Sequence, residues 1–100
     1  MSNSQLLPLL VFESGFSEVD EFETPMKGYR NDVTVELPDK RKFSVCFYDP
    51  IILQEDLKDE PMIADVGLII IPKVTKEAMQ EAVNKLWKIN YFDHLMPRSE

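Results

Sequence analysis

Hydrophobic and polar side chains alternate most cleanly in the middle of the chain. Between Asp32 and Leu37, the residues Val33, Val35 and Leu37 fall on one side, with Thr34 and Glu36 on the other. Between Lys42 and Tyr48, Phe43, Val45 and Phe47 oppose Ser44, Cys46 and Tyr48 in the same way. A period of two is the mark of a strand with one buried face. The intervening Pro38-Asp39-Lys40-Arg41 makes the pair a β-hairpin. Opposed residues of an antiparallel pair share a face, so parity restricts the register. Pairing Leu37 with Phe43 sets Val35 against Val45 and Val33 against Phe47, and puts all six apolar side chains on one face. That register predicts a loop of three residues, Asp39 to Arg41, or of five, Pro38 to Lys42. The turn holds no Gly, so a left-handed position there falls on Lys or Arg at some energetic cost.

The pattern then changes to a helical one. Asp49 is a good N-cap, and Pro50 is preorganised for the first helical position. Ile52, Leu53 and Leu57 supply a short apolar stripe, and Pro61 stops the helix after about 8–10 residues. Val66-Gly67-Leu68-Ile69-Ile70-Ile71 has no polar alternation at all. Its β-branching, its length and the bounding Pro72 predict an interior strand covered on both faces. The strand–helix–strand order places it parallel to the 42–48 strand through a crossover. Thr75 caps a last helix whose apolar residues are Ala78, Met79, Ala82, Val83, Leu86 and Trp87. The stripe extends towards Tyr91 and Leu95, and residues 97–100 read as a frayed tail.

The first 30 residues are patterned less clearly. Leu9 to Phe12 fits a short strand. Phe16, Val19 and Phe22 recur three apart without strict alternation, which leaves helix and strand both open. Thr24-Pro25 and Lys27-Gly28 read as loop. The class that follows is α+β. It is a small two-layer sandwich, with a mixed or antiparallel sheet of three to four strands and two helices packed on one face. Residues 1–100 form a single domain, with 1–30 an acidic segment loosely attached to it. Thr34, Glu36, Ser44, Cys46 and Tyr48 would line the exposed face of the sheet, unless the N-terminal segment covers it.

Composition narrows the function classes. One hundred residues sit at the usual size of one domain, and 44% hydrophobic content is that of a globular chain. The single Cys excludes a disulfide framework and suits a reducing compartment. No apolar run approaches the roughly 18 residues of a membrane span. The apolar stretch Leu6 to Phe12 lacks the preceding positive charge and following small residues of an export signal. The expected location is therefore cytoplasmic. The net charge is −7, and residues 1–26 carry five acids without one Lys or Arg. Such a surface repels phosphate backbones, so no nucleic-acid partner is expected. The short Lys40-Arg41-Lys42 run sits at the hairpin tip, where a solvated turn accounts for it.

Little in the chain suits catalysis. Cys46 and His94 are the lone thiol and imidazole, and the alternation puts Cys46 on the face away from the packed helices. One Cys and one His cannot build a structural zinc site. Glu18, Asp20, Glu21 and Glu23 lack the spacing and central Gly of a calcium loop. No Gly-rich phosphate loop, GxSxG, HExxH or CxxC occurs. The sequence thus assigns no catalytic, cofactor or metal residue. Two stretches instead point to contact with another protein. Phe16, Val19 and Phe22 lie among Glu18, Asp20, Glu21 and Glu23, a combination that suits a basic partner, although the commoner arrangement tucks such side chains onto the chain's own core. Tyr91 and Phe92 extend an aromatic stretch of the kind found at binding hot spots. The expected function is a non-enzymatic interaction module that binds a basic protein partner through an acidic surface, as an inhibitor, immunity-type protein or adaptor does. The alternatives are a self-assembling subunit, such as a homodimer formed through the sheet face, and a small ligand-binding or enzymatic domain.

Overall fold

The computed structural model describes residues 7–64 and 67–94. The N-terminal segment resolves into a strand, β1 (Leu9–Phe12), and a helix, α1 (Glu18–Lys27). The hairpin strands are β2 (Tyr29–Glu36) and β3 (Lys42–Tyr48). Helix α2 (Pro50–Asp59), strand β4 (Leu68–Ile70) and helix α3 (Lys76–Lys88) follow, and a 3₁₀ turn spans Tyr91–His94. The sheet order is β1-β2-β3-β4, antiparallel except for the parallel β3–β4 pair. The protein is thus a small α+β domain with a mixed sheet. Val66, Leu95 and the 97–100 tail lie outside the described residues.

The caps work as the sequence requires. The Asp49 carboxylate accepts from the Ile52 N–H at 2.8 Å, and Thr75 Oγ1 accepts from the Ala78 N–H at 3.0 Å. Each satisfies one of the N–H groups a helix start leaves unpaired. The core is the apolar face of the hairpin, closed over by α3. Val33, Val35, Leu37, Phe43, Val45 and Phe47 are each at most 3% exposed, and they meet Met79 and Val83 of α3, together with Ile71, Val74 and Phe92. None of the α2 residues joins this cluster. Asp56 of α2 and the C-cap residue Glu60 instead line a recess with Tyr48.

The hairpin keeps the expected faces but slides by two residues. Val35 opposes Phe43 and Val33 opposes Val45. The turn is closed one residue earlier than expected. The Leu37 N–H donates to the Arg41 carbonyl at 2.8 Å, and the Lys40 N–H to the Leu37 carbonyl at 2.9 Å. This puts Pro38 inside the turn, where its fixed φ is useful and its missing N–H is not needed. The left-handed position falls on Lys40, at φ 80°. β2 also begins earlier than the alternation indicates, and an irregularity between Arg30 and Val33 shifts the pairing by one residue.

One further expectation is corrected, and one alternative is decided. β4 is a three-residue edge strand, with Ile70 49% exposed, and is not interior. Of its side chains Ile69 packs on the core, and an apolar run carries no information about which edge is open. Thr34 is only 5% exposed, because the N-terminal segment covers this part of the sheet face. It lies on a strand paired on both sides, and its hydroxyl donates to the Glu13 carboxylate at 2.8 Å.

Candidate interaction surface

Helix α1 is fixed at both ends by local chemistry. Ser17 is the N-cap of a capping box: the Asp20 N–H donates to Ser17 Oγ at 3.3 Å, and the Ser17 N–H donates to the Asp20 carboxylate at 2.9 Å. That backbone donor, followed by the Ser17 hydroxyl and the charge of Arg30, holds the Asp20 carboxyl below its ordinary range. At the far end Gly28 takes φ 80°, and its N–H donates to the Thr24 carbonyl at 3.0 Å. Gly is required there twice over, since a Cβ would lie 2.7 Å from Asp49 Oδ2. The helix runs through Pro25, where the sequence reads as loop. The hydrogen bond that Pro25 cannot make belongs to the carbonyl of Glu21, an exposed residue that water can satisfy.

The inner side of α1 is polar. Thr24 is 3% exposed, and Asp20 is half-buried with a carboxylate 3.7 Å from Arg30. Arg30 organises this side. Its guanidinium bonds Asp32 and donates to the Gly15 carbonyl at 2.6 Å, while it lies 5.0 Å from the Phe12 ring centroid and 5.2 Å from that of Phe16. Asp32 also receives the Ser14 N–H at 2.9 Å and contacts the Ser14 hydroxyl. These donors hold the Asp32 carboxyl far below the carboxylate range, the Arg30 side chain being the largest cause. The cleft between α1 and β2, about 270 Å³ in volume, is lined by these residues with Lys27, Tyr29 and Asn31. Arg30 Nε and Nη2 are thus engaged, while Nη1 lies 3.7 Å from the Asp20 carboxylate.

The outer side of α1 is apolar. Val19, Phe22 and Met26 are 60%, 72% and 74% exposed. At about 100° per residue, the three positions fall within an arc of roughly 60°, on the side of the helix opposite Thr24 and Asp20. Glu18 borders the arc on one side and Glu23 on the other, and both are exposed, as is Glu21. The usual amphipathic order is therefore inverted: polar atoms face the domain, and apolar ones face water. Of the three aromatic and aliphatic side chains singled out near the acids, Phe16 packs against the core while Val19 and Phe22 do not. Met26 was missed because Thr24-Pro25 read as the end of order, although its spacing from Val19 and Phe22 is helical.

The C-terminal aromatics stand differently. Phe92 is 1% exposed, with its ring centroid 5.2 Å from that of Phe43, so it is a core residue and offers no surface for contact. Tyr91 is half-buried, packs on the core and meets Phe92 edge-on at 5.5 Å. Cys46 is half-buried on β3, and His94 is exposed in the final turn. Among the described residues no three metal-ligating side chains come together, and no helix is long and apolar enough to cross a membrane. Comparison with known protein families, curated proteins and solved structures finds no match for this chain.

Proposed function

We propose that the protein is a non-enzymatic interaction module that binds a basic protein partner through the outer face of α1, in the manner of an inhibitor, immunity-type protein or adaptor. The observation that carries this reading is the inversion of α1. A helix anchored by Ser17, Thr24 and Gly28 holds Val19, Phe22 and Met26 in water between Glu18 and Glu23. An apolar centre with a charged rim is the ordinary anatomy of a specific interface. The acids steer a basic partner and reject an acidic one. The single Cys suits the reducing cytoplasm.

The test is partner capture from lysate of the protein's own source by wild type and by the combined Glu18→Lys, Glu21→Lys, Glu23→Lys variant. A basic protein held by wild type at low salt, released at high salt and lost by the variant supports the reading. Capture that the reversal leaves unchanged contradicts it.

A second reading is favoured by one other observation. Leu7, Leu9 and Val11 are 47%, 57% and 40% exposed along and beside the edge strand β1, which bears no charge. Edge strands of this kind are prone to pair with a second copy. A monomeric mass by light scattering at high protein concentration removes self-assembly.

A further inference from the structure

Resting on the reading of α1 as the docking face, we infer that the partner presents an amphipathic α-helix with an apolar seam flanked by Lys or Arg. Val19, Phe22 and Met26 are spaced i, i+3, i+7, which is the a, d, a pattern of one heptad. In that frame Glu18 and Glu23 occupy the g and e positions that border the seam, and Thr24 occupies the outermost position f. Thr24 is the residue buried against the domain, so the whole of the opposite, seam-bearing side is presented outward. The seam is about 10 Å long and convex. A convex helical ridge has no edge with which to pair a strand. An extended peptide laid across it would leave its own backbone N–H and C=O groups without partners in the desolvated centre. A helix satisfies its backbone internally and can set its side chains between those of α1. Met26 adds an adaptable side chain at one end of the seam.

The charges choose between a second copy and a different protein. A parallel pair of α1 helices would set Glu18 against Glu23 of the other copy. An antiparallel pair would set Glu18 against Glu18 and Glu23 against Glu23. Every arrangement brings like charges together, which disfavours self-pairing and admits a helix with basic flanks.

The test is selection against the intact protein from two display libraries: a helical-hairpin scaffold randomised on one outward face, and unstructured 12-residue peptides. Binders that fail on Phe22→Asp are kept, with retained far-ultraviolet circular dichroism of the variant as the control for folding. The expected clones come from the helical library, carry apolar residues at helical spacing with Lys or Arg beside them, and lose at least about thirtyfold in affinity on Phe22→Ala. Phe22-dependent clones that are basic and come equally from the unstructured library, without becoming helical on binding, overturn the helix inference while leaving the docking face in place. The absence of any Phe22-dependent clone from either library overturns both.

Discussion

Phe22 and Phe92 give the sharpest contrast in the molecule, and replacing each with Ala tests whether the α1 stripe is truly unused by the fold. A buried Phe removes roughly 200 Å² from water. Phe22 is 72% exposed, so only about a quarter of that area, or roughly 50 Å², is covered. At about 25 cal/mol per Å² its truncation loses roughly 1.3 kcal/mol. The better helix propensity of Ala returns about 0.5 kcal/mol, leaving a net cost under about 1 kcal/mol. Phe92 is 1% exposed against Phe43, and its truncation leaves a cavity, for an expected cost of about 3–5 kcal/mol. Urea unfolding followed by circular dichroism measures both. For a domain of this size the thermal midpoint should fall by at least about 12 °C for Phe92→Ala and by no more than about 8 °C for Phe22→Ala. If Phe22→Ala costs as much as Phe92→Ala, Phe22 belongs to the core and the inverted helix does not exist.

Two other perturbations follow from local geometry. Gly67→Ala and Gly15→Ala both strain a left-handed backbone, at φ 84° and 83°, but a Cβ at Gly67 would lie 2.5 Å from the Ser44 carbonyl oxygen, whereas none of the described atoms lies within 4 Å of one at Gly15. Gly15→Ala should cost about 1–2 kcal/mol and Gly67→Ala clearly more, measured by urea midpoints. Asp32→Asn should lower stability at neutral pH by about 1–3 kcal/mol, because Arg30 keeps its charge beside a weaker acceptor. The Asp32 carboxyl is depressed in the folded state, so its contribution is present above its unfolded value near 3.9 and is lost as the pH falls through the lower folded value. Wild type and variant should therefore converge between about pH 4 and the acid limit, and a constant difference across that range would refute the assignment.

The elements that rest on strong local signals were legible from the sequence. Asp49-Pro50 and Thr75 mark helix starts, and the alternation of Val33 to Phe47 fixes the core face whatever the register, because sliding by two residues preserves parity. The register itself was not legible, since it depends on which residue of a Gly-free turn accepts the left-handed conformation. Lys40 does so because Pro38 fits only inside the turn. The open edge of β4 was hidden for a different reason: its side chains report the two faces, and the neighbour count along the sheet is a property of topology. In the candidate site, Glu18, Val19 and Phe22 stood out from the start, but the direction they point could not be read. A stripe of apolar residues at helical spacing ordinarily faces inward. Here Arg30, three residues past the end of α1, draws Asp20 and the polar side of the helix towards β2 and leaves the apolar side in water. Phe92 shows the opposite case, an aromatic residue near the chain end that the core takes up.

Photo-crosslinking can locate the partner on the outer face of α1. A benzophenone amino acid placed at Phe22, which is 72% exposed, is compared with one at Ile51, an apolar residue 73% exposed on α2. Irradiation is carried out in lysate of the protein's own source. A discrete crosslink to a basic protein is expected from position 22, absent from position 51 and suppressed by high salt. A crosslink to that protein from position 51 with none from position 22 would contradict it.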